Sequence, residues 1–241
     1  MIPKKIHYCW FGGHPLPKSA QKCIDSWRRF LPDYEIIQWD ESNFDVNLIP
    51  YTLEAYKAKK YAFVSDYARF YIIREHGGIY FDTDVEIIRP FDDILALGGF
   101  MGYENNSEIN PGLGFAAEPD NPVVTRVTEH YQRLHGFSLD GNGESAMTVV
   151  QHVTNVIKEL GYEFGNNSQF TIQNITIYPK DWFNPRDSLT GKLETTRNTH
   201  SIHWYDNSWS DHSPIRTQLS RLIHRIFGIN FSSRVKKMIT R

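Results

Sequence analysis

Asp82 and Asp84 stand two apart at the end of the run GGIYFDTD, with Asp66 and Arg69 one helical turn apart upstream and His200 and His203 three apart much later. Two carboxylates that face one way suit a hard divalent cation, because Mg2+ and Mn2+ take oxygen ligands and complete their shells with phosphate oxygens and water. A diphosphate is the group such a cation would serve. Residues two apart on a strand point to the same side, so Ile79-Tyr80-Phe81 is expected to be a short buried strand that presents both acids together where it ends. Asp-x-Asp also arises about once by chance in a chain of this length, so the pair takes its meaning from its surroundings. Asp66 and Arg69 read equally well as a structural ion pair or as a clamp on a sugar. Two histidines without cysteines are weak grounds for a zinc site.

These residues need elements to hold them. Ala62 to Glu75 carries apolar residues at helical spacing, and Gly77-Gly78 supplies the left-handed backbone that ends a helix. The chain opens with a strand over Ile6 to Phe11 closed by Gly12-Gly13, and Trp10 at its end is either a platform for a nucleobase or a core residue. That glycine pair lacks the spacing of a phosphate loop, so any phosphate must be held by metal and side chains. A helix ending at Phe30, with Ala20, Ile24 and Trp27 on one face, and a strand over Tyr34 to Trp39 complete a strand-helix-strand opening. That pattern calls for parallel pairing with a right-handed crossover. Further helices are expected over Pro50 to Lys60, from Pro122 towards Leu134 and over Ala146 to Leu160, a short helical segment within Phe91 to Leu97, and strands over Gly98 to Tyr103 and Thr171 to Tyr178. The fold class is therefore α/β, whose open sheets bind ligands beyond the carboxyl ends of their strands. In the small-residue loop Asn110 to Ala117, Asn110 is the candidate contact for a reacting sugar or its acceptor. Trp182-Phe183 is either core or the floor of a cleft. His7 is expected to be structural.

A chain of 241 residues can bury one sizeable core but scarcely two, so a single catalytic domain over 1–212 is expected. Of the 26 Lys and Arg, seven lie between Ser213 and Arg241 with no acid among them, leaving 19 bases against 28 acids, a charge of −9, in the preceding chain. Residues 213–241 are thus a separate basic tail. Within it Ile215, Leu219, Leu222, Ile223, Ile226 and Phe227 alternate with Arg216, Arg221 and Arg225 in the pattern of a basic amphipathic helix. Such a helix either packs on the domain or lies on an anionic membrane surface. No nucleic-acid partner is expected. Cys9 and Cys23 are expected to be free thiols in a reducing compartment, and no apolar run is long enough to span a bilayer. The expected location is cytoplasmic, with peripheral contact on the inner face of the membrane.

IPKKIHYCWFGG at the start, SDYAR, GGIYFDTD and HSIHWYDNSW, in that order over residues 2 to 210, resemble glycosyltransferase family 32. That family has the GT-A fold, a Rossmann-like mixed sheet flanked by helices. It includes bacterial capsular and outer-polysaccharide sugar transferases, initiating mannosyltransferases and, more distantly, glucosylating toxin domains. The resemblance implies retaining transfer of a hexose from a nucleotide-diphospho-sugar to a glycan acceptor in polysaccharide biosynthesis, and a tail lying on the membrane would suit a lipid-linked acceptor. UDP-hexose is the favoured donor and GDP-mannose the alternative. It implies that Trp10 stacks on the donor base, that Asp66 and Arg69, with Ser65 beside them, hold the sugar, and that Tyr80 lies near sugar and diphosphate. Asp84 would bind Mn2+ or Mg2+ directly, Asp82 through water or the ribose, and His203 from the opposite side, with His200 as the competing ligand. Ser208 and Trp209 would close over the diphosphate. Glu144-Ser145 stands where many relatives have Gly-Pro, so acceptor residues in that loop are left open. A two-metal phosphodiesterase would need a denser set of ligands. A carbohydrate-binding module would explain the aromatic residues, 14% of the chain, but not paired acids beside a base platform.

Overall fold

The computed structural model describes residues 1–137, 147–163 and 165–206. Chain order begins β1 (Lys5–Cys9), α1 (Lys18–Phe30), β2 (Glu35–Trp39), α2 (Pro50–Lys57), α3 (Tyr61–His76) and β3 (Gly78–Tyr80). Then follow β4 (Val85–Ile87), α4 (Asp92–Leu95), β5 (Gly99–Tyr103), β6 (Ile109–Asn110), a 3-10 turn (Pro111–Leu113) and β7 (Phe115–Ala117). The described chain closes with α5 (Pro122–Gln132), α6 (Val149–Glu159), β8 (Phe170–Ile172), β9 (Ile175–Tyr178), α7 (Lys180–Phe183) and β10 (Ser201–His203). The main sheet runs β2-β1-β3-β7-β5-β9-β8, with β6 on β5. β1 is parallel to β2, as the strand-helix-strand opening predicts, and parallel also to β3, whereas β7 is antiparallel to its neighbours β3 and β5. β10 and β4 form a separate antiparallel ribbon.

Alternate residues of the central strands divide between two cores. Ile79, Phe100, Ala116 and Tyr178 join Ile24 and Trp27 of α1 on one side of the sheet. Tyr80, Met101, Phe115 and Ile177 join residues of α3, α5 and α6 on the other. α3 is buried on more than one face because it packs against α2, α5 and the sheet, so even Asp66 and Arg69 lie inside. It stops where expected. Gly77 has φ 61° and donates its N–H to Ile73 O, and a Cβ on Gly78, at φ 103°, would fall 2.7 Å from the carbonyl oxygen of Lys5. His7 is indeed structural: it is buried, its Nε2 bonds Gly77 O at 3.0 Å and its Nδ1 accepts from Trp39 Nε1 at 3.0 Å. Burial pulls its pKa down to about 4, so the ring is neutral.

Three expectations are corrected. The helix expected over Pro50 to Lys60 ends at Lys57, because Lys59 turns left-handed (φ 57°) and separates α2 from α3. The single strand expected over Thr171 to Tyr178 is the hairpin β8–β9, since Gln173 and Asn174 both take positive φ, 45° and 64°, the geometry of a two-residue hairpin turn. Phe81, Asp82 and Asp84 lie beyond β3 rather than on it. α6 starts at Val149 behind a capping box of Thr148 and Gln151. Ala146, the Glu144-Ser145 loop, Ser208, Trp209 and the tail 213–241 fall outside the described residues. Cys9 and Cys23 are buried and free, and no described helix is long and apolar enough to cross a membrane.

Candidate active site

A turn, not strand alternation, brings the two acids together. After Tyr80 the chain bends so that Val85 N donates to Asp82 O at 3.0 Å, and β4 then pairs with β10 in a register that sets Val85 opposite His203. The next residue, Trp204, donates its N–H to Asp84 O at 2.9 Å. As a result, one ligand atom from each of Asp82, Asp84 and His203 lies within 4.8 Å of the others. His203 Nε2 is 3.1 Å from Asp84 Oδ1, and the Asp206 N–H donates to Asp84 Oδ2 at 3.0 Å. His200 is elsewhere. Its ring bonds Asn198 O at 2.7 Å and Asp93 Oδ1 at 3.2 Å and stacks on Trp182, with 5.2 Å between ring centroids. Trp182 is half-buried and Phe183 fully buried, which makes that pair core.

Arg69 ties helix α3 to this turn. Its Nη2 donates to Asp66 Oδ1 at 2.9 Å and lies 3.3 Å from Asp82 Oδ1, while Nε donates to Ser65 O at 3.0 Å. Tyr80 donates its hydroxyl to Asp82 Oδ1 at 3.0 Å, and the guanidinium lies 4.9 Å over the Tyr80 ring. Ser65 bonds back to Ala62 O at 2.7 Å, so its hydroxyl serves the helix. The charges divide by environment. Burial pushes the Asp66 carboxyl up to about 7 against the pull of Arg69, and burial raises Asp82 against the same pull. For Asp84 burial also acts upward, but His203 and the backbone donors hold the carboxyl below its ordinary value. Burial acts downward on His203, yet Asp84 raises it. The His203 ring nitrogen and the Asp84 carboxylate thus meet at 3.1 Å, with an oxygen of Asp82 beside them, close enough for all three to serve one ion. The set of two carboxylate oxygens and one imidazole nitrogen therefore fits a divalent ion, with the nitrogen suiting Mn2+ better than Mg2+.

Around this centre lie the remaining candidates. Trp10 follows β1, and because His7 is opposite Tyr80 in the β1–β3 register, Trp10 and Asp82 leave the sheet at the same edge. Its indole is half-buried and donates to His14 O at 2.6 Å. Asn110 has both polar atoms engaged, Oδ1 by Gly112 N at 2.7 Å and Nδ2 by Glu104 Oε2 at 2.7 Å. That caps the 3-10 turn against the acids: a Cβ on Gly112 would fall 2.5 Å from Asp82 Oδ2. Glu104, Asn184 and Tyr205 join the site without having been singled out. Only Tyr205, inside the run that carries His203, had any signal.

The family described as "Glycosyltransferase sugar-binding region containing DXD motif" matches residues 17–100. The uncharacterized glycosyltransferase L373 of Acanthamoeba polyphaga mimivirus is 25% identical over 221 residues, 88% of this chain and 85% of that protein. Inositol phosphoceramide mannosyltransferase 3 of Schizosaccharomyces pombe is 34% identical over 142 residues, 55% of this chain and 38% of that protein. This chain thus spans well under half of the fission-yeast relative. Among solved structures, the PaToxG glycosyltransferase superimposes with a TM-score of 0.51 at 19% identity, covering 66% of this chain and 69% of that one. The mixed sheet flanked by helices is accordingly of the GT-A type.

Proposed function

We propose, from the premise that this chain is a glycosyltransferase carrying a DXD-type sugar-binding region, that it moves a hexose from a nucleotide-diphospho-sugar to a glycan acceptor with retention of configuration and with Mn2+ or Mg2+ held by Asp82, Asp84 and His203. The observation that carries the reading is the convergence of those three side chains with Arg69 and Asp66 beside them. A bound cation would supply charge neutralisation for the departing diphosphate. The chain's own groups do the rest. Arg69, kept cationic by Asp82, Tyr80 and Asp66 in spite of burial, sets a fixed positive charge beside the acid turn. Asp66 presents a buried carboxyl to sugar hydroxyls, and Tyr80 orients Asp82. Ser208 and Trp209 would close over the diphosphate and exclude water, favouring transfer over hydrolysis.

Trp10 is assigned to the donor base. Trp10→Ala should weaken nucleotide binding by about 1–3 kcal/mol, the usual worth of a base stacked on an aromatic ring. Calorimetric titration with UDP and with GDP measures it, and two unchanged affinities in a folded variant would make Trp10 a packing residue. UDP-hexose remains the favoured donor. The mannosyltransferase names of the fungal relatives support GDP-mannose as the second reading. Screening UDP- and GDP-sugars for Mn2+-dependent binding and hydrolysis decides between them, and no metal-dependent binding of any would sink the function itself.

The acceptor is assigned as a lipid-linked glycan of a polysaccharide pathway, capsular in type, reached by a chain resting on the inner face of the membrane. The support is the segregated basic tail, since each Lys or Arg near an anionic surface contributes about 1 kcal/mol. Vesicles containing phosphatidylserine should bind the full chain in a salt-sensitive manner and release a version ending at Pro214, with soluble-donor hydrolysis retained. Binding that is absent or indifferent to salt would leave the tail as ordinary packing.

A further inference from the structure

The carboxylate of Glu104, just past β5, gathers donors from three distant places. Tyr205 Oη lies 3.1 Å from both Oε1 and Oε2, Asn110 Nδ2 donates to Oε2 at 2.7 Å, and Asn184 Nδ2 lies 3.3 Å from the same oxygen. Asn184 reinforces the contact, donating to the Glu104 carbonyl at 3.0 Å and facing the Tyr205 hydroxyl with Oδ1 at 2.8 Å. Two of these partners lead to the cation site: Tyr205 stands on the arm that carries His203, and Asn110 opens the turn beside Asp82.

On one side is Tyr205. Its φ of 51° is a left-handed conformation that aromatic residues rarely adopt and that persists only where the surroundings over-determine it. Here the anchored hydroxyl does so. The kink at Tyr205 puts its ring 4.2 Å from the His203 ring and lets the next residue's N–H reach Asp84 Oδ2 at 3.0 Å. On the other side is Asn110, whose Oδ1 holds Gly112 N, and Gly112 lies so close to Asp82 that only a glycine fits there undisturbed. Glu104 therefore joins the arm bearing His203 to the turn that backs Asp82.

We propose that Glu104 is a positioning residue of the cation site: through Tyr205 it sets His203 and the Asp206 N–H against Asp84, and through Asn110 it sets the Gly112 turn against Asp82. This rests on the reading that Asp82, Asp84 and His203 hold a divalent ion. Partners behind metal ligands orient them, and their loss costs about 10- to 100-fold in metal affinity. A carboxylate suits the place because every neighbour that meets it is a donor. Glutamine keeps the shape and one acceptor oxygen, which can serve the donors on Oε2 while its NH2 faces the Tyr205 oxygen.

Mn2+ alone, and Mn2+ with UDP or with GDP, is titrated into the full chain and its Glu104→Ala, Glu104→Gln and Tyr205→Phe variants, the free ion being read by its electron paramagnetic resonance signal. Thermal melting is followed in parallel. Tyr205→Phe and Glu104→Ala should lose about 10- to 100-fold in Mn2+ affinity, and Glu104→Gln should recover most of it. If Glu104→Ala does not fold, Tyr205→Phe, which removes one oxygen and little volume, carries the test. A Tyr205→Phe variant with lowered melting temperature and wild-type Mn2+ affinity would reduce the network to loop packing and overturn this inference alone. Absence of Mn2+ binding by the wild-type chain under all three conditions would overturn it together with the metal reading.

Discussion

Asp84→Ala is expected to abolish sugar transfer and metal-dependent donor binding in a protein that still folds. Asp84 accepts from Asp206 N and meets His203 Nε2, and its side chain is 19% exposed, so its loss opens a solvent-reached space rather than a core cavity. The backbone bond from Trp204 to the Asp84 carbonyl, which seats β10 beside the turn, needs no side chain and survives. What is lost is the carboxylate held most firmly ionised among the candidate ligands, because His203 and the backbone N–H groups outweigh burial. Removing it should cost several kcal/mol of charge stabilisation, about 10²-fold or more in rate. Asp84→Asn, which preserves an acceptor for Asp206 N but gives up the carboxylate that His203 favours, should still fold and be equally inactive. Turnover with each candidate donor across a Mn2+ titration, with circular dichroism as the folding control, checks both variants. Near-wild-type turnover at limiting Mn2+ would remove Asp84 from the ligand set.

Arg69→Ala should be the most destabilising single change in the site, by about 3–5 kcal/mol near neutral pH, because it leaves buried carboxylates without their cation. Arg69 is 4% exposed and its partners Asp66 and Asp82 are 10% and 28% exposed, so water replaces little of the lost attraction. The loss should depend on pH. Burial raises Asp66 to about 7 in the folded protein, above its ordinary value of 3.8, so folding takes up a proton there between those values. A group raised in this way weakens the fold as pH climbs through the window and stops doing so once protonated. Without Arg69 the upward push on Asp66 and Asp82 is unopposed and the window widens upward. The difference in stability between wild type and Arg69→Ala should therefore be larger at pH 8 than at pH 5, as measured by urea unfolding at each pH. A deficit that is small, or equal at both pH values, would show that Arg69 holds shape rather than charge.

Some of this was legible in the chain itself. Gly77-Gly78 after a helical run, the capping residues Asn121-Pro122, and Asp-x-Asp after a short apolar strand are local signals, because allowed φ/ψ angles and amphipathic spacing are properties of a few consecutive residues. Parallel pairing of β1 with β2 followed from the helix between them. Tertiary structure decided the rest. The sequence could not choose between His200 and His203, because that choice is made by the register of β10 on β4, which sets His203 against Val85 across more than a hundred residues. Nor could it show that Asp82 and Asp84 converge through a turn, since a strand of one more residue reads the same. Glu104 carries no signal in the sequence, and its place follows only from the meeting of Asn110, Asn184 and Tyr205 around it. Spacing along a chain encodes backbone conformation and which face is apolar; it does not encode which polar side chains meet after burial, and the ligand set with its supports is composed of such meetings.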